Sequence, residues 1–111
     1  MDAKALRKHL ERCTLLFDGA TGTYAKSMPD WPNGPVELAC VTASEKVEAL
    51  HHSYMDAGSI AIKTNTFAAH VGLACSDEEQ QSQVIAAAVE VSKTAAENKA
   101  FVFADTACIH I

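Results

Sequence analysis

The chain has 111 residues, a net charge of −5, and 49% apolar and 21% charged residues. The length allows one domain or part of one, and the balance is that of a globular protein, not of a disordered or fibrous one. The acidic excess argues against nucleic acid and anionic membranes, which attract a basic face.

The basic residues are scattered among acids except for Arg7, Lys8 and Arg12, which read as the solvated side of a helix. No segment approaches the run of about 20 apolar residues that spans a bilayer. Residues 1–12 mix charges with Leu and lack the apolar core of a signal peptide. A cytoplasmic location is therefore the expectation. Cys13, Cys40, Cys75 and Cys108 lie far apart with no Cys-x-x-Cys pair, so reduced, mostly buried thiols are expected.

In chain order, residues 2–12 read as a short opening helix with Leu6 and Leu10 on one face. Residues 14–17 (TLLF) form a wholly apolar run that suits a strand buried on both faces. It stops at Asp18 and the turn Gly19-Ala20-Thr21-Gly22-Thr23. Residues 27–41 hold all three prolines and read as a loop, because Pro lacks the N–H that helix interiors and central strands use.

Thr42 and Glu45 have capping-box spacing and predict a helix start. Val47, Leu50, Tyr54 and Ala57 form its apolar stripe, and Gly58 ends it. Residues 60–63 (IAIK) predict a second strand, ending in Thr64-Asn65-Thr66-Phe67. A second capping box, Ser76 with Glu79, opens a helix that runs to about Lys99, with Val84, Ala87, Ala88, Val91 and Ala95 at helical spacing. Residues 101–104 (FVFA) predict a third strand before Asp105.

Alternating helices and short apolar strands predict an α/β fold, with parallel strands and crossover helices on the outside. Asp18, Asn65 and Asp105 then follow the C-terminal ends of three strands, where parallel α/β folds bind ligands. A carboxylate there suits a ligand ammonium, and the N–H groups of the Gly19–Gly22 turn suit a ligand carboxylate. The residues thus outline a site for an α-amino acid, against the plainer reading that Asp18 and Asp105 only cap turns. The turn has neither the Gly-Lys-Ser/Thr of a phosphate loop nor Gly-x-Gly-x-x-Gly, so a flavodoxin-like or dinucleotide site lacks its signature. His51 and His52 are adjacent, and His9, His70 and His110 are isolated; none has metal-ligand spacing.

Four segments, in order, resemble the homocysteine S-methyltransferase family. Asp18-Gly19-Ala20-Thr21-Gly22-Thr23 is similar to its Asp-Gly-x-x-Gly-Thr opening, and Pro35-Val36-Glu37-Leu38 to its Pro-x-Glu-Leu segment. His51-x-x-Tyr54-x-x-Ala57-Gly58 resembles its helix 1, and Thr64-Asn65-Thr66-Phe67-Ala68-Ala69 its Thr-Asn-Thr-Phe-Gly-Ala segment.

The resemblance implies that residues 1–111 are a partial homocysteine-binding domain, about the first three β/α units of a TIM (β/α)₈ barrel. It implies methyl transfer to the thiol of homocysteine, giving methionine. It also implies zinc held by three C-terminal cysteines, with a methyl source such as methylcobalamin fed by folate, betaine or S-methylmethionine. Asp18 would lie near the substrate's amino group, the Gly19 and Ala20 backbone near its carboxylate, and Asn65 and Thr66 on the strand-2 rim.

Three features depart from the family. None of the four cysteines matches a zinc ligand, so this chain is expected to be catalytically silent alone. Asp105-Thr106-Ala107-Cys108 stands where the family usually has Gly-Pro, and Lys63 often corresponds to Glu. The competing expectation is a non-catalytic half-barrel that self-associates, or meets a complementing chain, through open sheet edges and binds a small amino acid.

Overall fold

A computed structural model describes residues 1–107. Helix α1 spans Ala3–Arg12, and Asp2 caps it by accepting the Ala5 N–H at 2.9 Å. Helix α2 follows at Gly22–Ser27, then a 3₁₀ turn at Val36–Leu38 and helix α3 at Ala39–Thr42. Helix α4 is Ser44–Asp56, strand β1 Ala61–Lys63, helix α5 Glu78–Ala96 and strand β2 Phe101–Phe103.

Strands β1 and β2 are parallel, with Ala61 opposite Phe101 and Lys63 opposite Phe103. The 14–17 run joins the other edge of β1 through a single parallel bridge, Phe17 to Ala61. The Ile60 N–H donates to Leu16 O at 2.9 Å, and the Asp18 N–H donates to Ala61 O at 2.9 Å. The mixed helix and strand order and the parallel pairing agree with the expected α/β class.

Helices α4 and α5 pack on each other and cover one face of the sheet. Val47, Ala88 and Val91 meet α3 at Ala39 and Cys40, while Ile62 of β1 sits against Ala96 and Ala100. The stripe expected on α5 is thus its packed face. On α4 it holds for Val47 and Leu50, whereas Ala57 is exposed beyond the helix end. Gly58 ends α4 with φ +114°, which glycine adopts without a Cβ penalty.

Several local expectations need correction. The first strand is a bridge, not a buried strand: Leu16 and Phe17 are 54% and 42% exposed, because its outer edge has no partner among the described residues. Thr42 does not cap α4. It ends α3, and its hydroxyl donates back to Leu38 O at 3.3 Å, while the chain breaks helix at Ala43 with φ −151°.

The second cap sits one residue later than Ser76 and Glu79. Asp77 accepts the Gln80 N–H at 2.8 Å, and the Gln80 side chain accepts the Ser76 N–H at 2.7 Å. Asp77 is thus the cap, and the Gln80 side chain reaches past it to the N–H of the preceding residue instead of closing a reciprocal box. Helix α5 stops at Ala96, not near Lys99, because Glu97 and Asn98 take φ of 45° and 60°. The expected loop 27–41 also hides a 3₁₀ turn and most of α3 after its last proline, and α2 was not expected at all. On α1, Leu10 is exposed, so the helix buries less than its Leu spacing suggests.

His51 has no exposed surface, lying between α4 and α5. Ser92 Oγ donates to Ala88 O at 2.8 Å, so its single proton is committed. The 3.3 Å contact with His51 Nε2 then makes that nitrogen the donor and leaves Nδ1 buried without a partner among the described residues. Burial, with the neighbouring His52, pushes the His51 pKa from 6.5 to about 4.

The unfolded chain therefore binds a proton that the folded chain refuses between those values. Stability from this group is complete above pH 6.5 and is lost as pH falls towards 4, by at most about 1.4 kcal/mol per pH unit. His51→Leu should flatten that slope in denaturant titrations at successive pH values; an unchanged slope would refute the assignment.

Candidate functional site

The C-terminal ends of the three runs meet at one rim. Asp18 is buried there, and its Oδ2 accepts the Lys63 N–H at 3.1 Å. Its Oδ1 has no hydrogen-bond partner among the described residues and faces Lys63 Nζ at 3.7 Å. Burial raises the Asp18 pKa, and the nearby Asp105 adds to this, while the Lys63 backbone N–H and ammonium oppose it.

Thr64 and Thr66 fasten the end of β2. The Thr66 hydroxyl donates to Asp105 O at 2.6 Å, so in the 2.7 Å contact between the two threonines Thr64 is the donor. Thr64 Oγ1 in turn accepts the Asp105 N–H at 3.1 Å. The Asn65 amide donates to Val36 O at 2.9 Å and contacts Cys40 Sγ at 3.3 Å, tying the 3₁₀ turn to the rim. Glu37 is buried, and its Oε2 accepts the Ala68 N–H at 3.1 Å.

These residues enclose a cavity of about 270 Å³, walled by Ala20, Glu37, Lys63, Asn65, Thr66 and Asp105 among others. That is just below the ~300–1,000 Å³ of drug-sized sites and suits a ligand of amino-acid size. A larger cavity of about 580 Å³ lies beside it against Trp31, Pro32 and Pro35, sharing Gly22 and Val36.

A model of the homocysteine S-methyltransferase family matches residues 15–109. The chain belongs to the homocysteine S-methyltransferase family. That match runs from the first apolar run through the rim to beyond β2, so it covers every element that builds this methyltransferase-family cavity.

Of the residues expected at the site, Ala20, Asn65, Thr66 and Asp105 line the cavity, while Asp18 and Gly19 stand behind it. Gly19 backs onto α4: a Cβ there would lie 2.9 Å from the Tyr54 hydroxyl, which donates to Ala20 O at 2.6 Å. A side chain at this position would therefore have to push the Tyr54 ring aside. Glu37 and Lys63 line the cavity without having been assigned to it from sequence. Glu37 carried a signal in the Pro-x-Glu-Leu resemblance, and Lys63 in its place at the end of IAIK.

Zinc fits poorly here. Among the described residues no three or more His, Cys, Asp and Glu side chains are grouped to hold a metal ion. Cys40 is buried, and its pKa is pushed up to about 11 chiefly by that burial, so its thiol stays protonated at neutral pH. Cys75 is buried and also raised, whereas Cys13 is exposed. Cys108 and His110 lie outside the described residues.

Two outcomes test the rim. Thr66→Val should cost about 1–3 kcal/mol by stranding the Thr64 proton and Asp105 O, and Thr66→Ser should restore most of it, read from denaturant midpoints. Gly19→Ala and Tyr54→Phe should each destabilise by about 1 kcal/mol, and the double variant by less than their sum, because both disturb one contact.

Proposed function

We propose that this chain is the amino-acid-binding sector of an enzyme that moves a methyl group onto the thiol sulfur of homocysteine, forming methionine. In this reading residues 1–111 supply the first three β/α units of a TIM barrel. The observation that carries the proposal is the convergence of Ala20, Asn65, Thr66 and Asp105 on one cavity of amino-acid size, in a chain of this family.

The role proposed for these residues is binding and orientation. The rim holds the zwitterionic end of homocysteine, with Asp18, Gly19 and Ala20 on the side of the first run and Asn65, Thr66 and Asp105 on the side of β1 and β2. The thiol then points away from the rim towards the methyl donor. Zinc, and methylcobalamin or folate as methyl source, belong in this proposal to the rest of the barrel, because the described residues hold no group fit for a metal ion. No step here is routed through them.

A second reading has its own observation. Phe17 is 42% exposed on an open strand edge, which favours pairing with another copy or a complementing chain. Sedimentation separates the two: a discrete dimer with a cooperative melt supports the self-associating module, and a monomer or open-ended aggregation supports the sector of a larger barrel.

The proposal predicts saturable binding of L-homocysteine by the chain, with resonances of Asn65, Thr66 and Asp105 shifting in a titration followed by nuclear magnetic resonance. Asp105→Ala should weaken binding several-fold, and the chain alone should form no methionine from homocysteine with betaine, S-methylmethionine or methylcobalamin. Turnover by the chain alone would overturn the assignment of chemistry to other parts. Absence of any homocysteine binding would overturn the binding role.

A further inference from the structure

The turn between the first run and α2 forms one side of the rim cavity through Ala20, Thr21 and Gly22. Its ends are fastened by backbone bonds: the Asp18 N–H donates to Ala61 O at 2.9 Å, and Thr21 O accepts the Ala25 N–H at 2.8 Å. Between those ends, a single hydrogen bond reaches Gly19 or Ala20 among the described residues. It is the Tyr54 hydroxyl donating to Ala20 O at 2.6 Å.

Tyr54 belongs to α4, 34 positions along the chain from Ala20, and does not itself line the cavity. Its ring lies against Gly19, where an added Cβ would sit 3.1 Å from Cε1, and it meets the Tyr24 ring of α2 edge-on at 5.2 Å. Burial, then the charge of Asp18 and the neighbouring Tyr24, raises the Tyr54 pKa, so the hydroxyl keeps its proton and its donor role at neutral pH. In a trans peptide the carbonyl and the following N–H point in opposite directions. Holding Ala20 O therefore also fixes where the Thr21 N–H is aimed.

We propose that Tyr54 is a positioning residue for the amino-acid cavity, acting through Ala20 to set the conformation of the wall segment Ala20–Gly22. The assignment rests on the amino-acid-binding role proposed above. Glycines at 19 and 22 give this segment wide backbone freedom. Without the Tyr54 hydroxyl the binding-competent conformation is one member of a mixture, and apparent affinity falls in proportion to its population.

The test titrates L-homocysteine by calorimetry into the full chain under reducing conditions, for the wild type, Tyr54→Phe and His52→Ala. The last of these removes a different bond of α4, from the His52 ring to Ala95 O, and leaves the turn untouched. Tyr54→Phe should weaken binding about two- to tenfold, the effect of one hydrogen bond, while His52→Ala should leave the affinity unchanged although it also lowers stability. In magnetic resonance spectra of the ligand-free chain, Tyr54→Phe should move the Ala20 carbonyl and Thr21 amide signals and leave those of Thr64 and Thr66 in place. Wild-type affinity in Tyr54→Phe, or an equal loss in His52→Ala, overturns the positioning role while homocysteine binding stands. Failure of the wild type to bind homocysteine removes the amino-acid site and this assignment together. Should Tyr54→Phe be too unstable to titrate, the same three titrations in sucrose, which favours the folded state, decide the matter.

Discussion

Side-chain to main-chain hydrogen bonds between neighbouring strand ends are the constraint on which the rim depends. The strands are short, with three residues each in β1 and β2 and one bridge to the first run. Ladder bonds alone would leave their ends free to splay. Asp18 takes the Lys63 N–H, and the Thr64 and Thr66 hydroxyls take and return the Asp105 peptide groups. Every one of these bonds crosses from one run to the next at the C-terminal end. The Ala107 N–H extends the series by donating to Phe67 O at 3.0 Å. Buried bonds of this kind are costly to leave half made, so they fix a single geometry for the cavity wall.

The layout was legible in sequence where it depends on periodicity and on the placement of polar residues after apolar runs. The stripe of α5 and the parallel order of three runs follow from these signals, because burial against a sheet imposes them. Element edges were less legible. The Thr42-x-x-Glu45 spacing matches a capping box, yet the preceding residues Ala39–Thr42 are themselves helical, so Thr42 has a helical neighbour to bond to and its cap role is lost. Sequence spacing reports which groups can meet, while the competing partner is supplied by packing.

For the site, residue type pointed to the rim but not to what each side chain faces there. Asp18 reads as a free acid in sequence; in the fold it is closed off by its neighbour on β1. Gly19 reads as a ligand turn and is also held small by Tyr54, 35 positions along the chain from it. Lys63 and Glu37 were hidden because one ends an apolar strand and the other lies in a proline-rich stretch. Their shared cavity arises only when the 3₁₀ turn folds over β1, fastened by Asn65 to Val36 O. That contact is long-range, and no local pattern encodes it.

The two faces of the sheet carry the last step of the synthesis. One is sealed by α4 and α5, with Ile62 fully buried. On the other, Phe17 and Phe103 bring their rings to 4.9 Å across the central strand, above an Ala61 with no exposed surface. A sheet meant to face water on one side alternates apolar and polar residues, whereas strands covered on both sides are apolar throughout. Runs such as Leu15-Leu16-Phe17 and Phe101-Val102-Phe103 are of the second kind. Among the described residues the pair is only partly covered, with Phe17 42% exposed, whereas Phe101, further down the strand of Phe103, is buried with its ring 5.9 Å from that of His9. Lys63, the polar exception on that face, stands at its rim end and lines the cavity, so the face changes from apolar core to polar site within the length of one short strand.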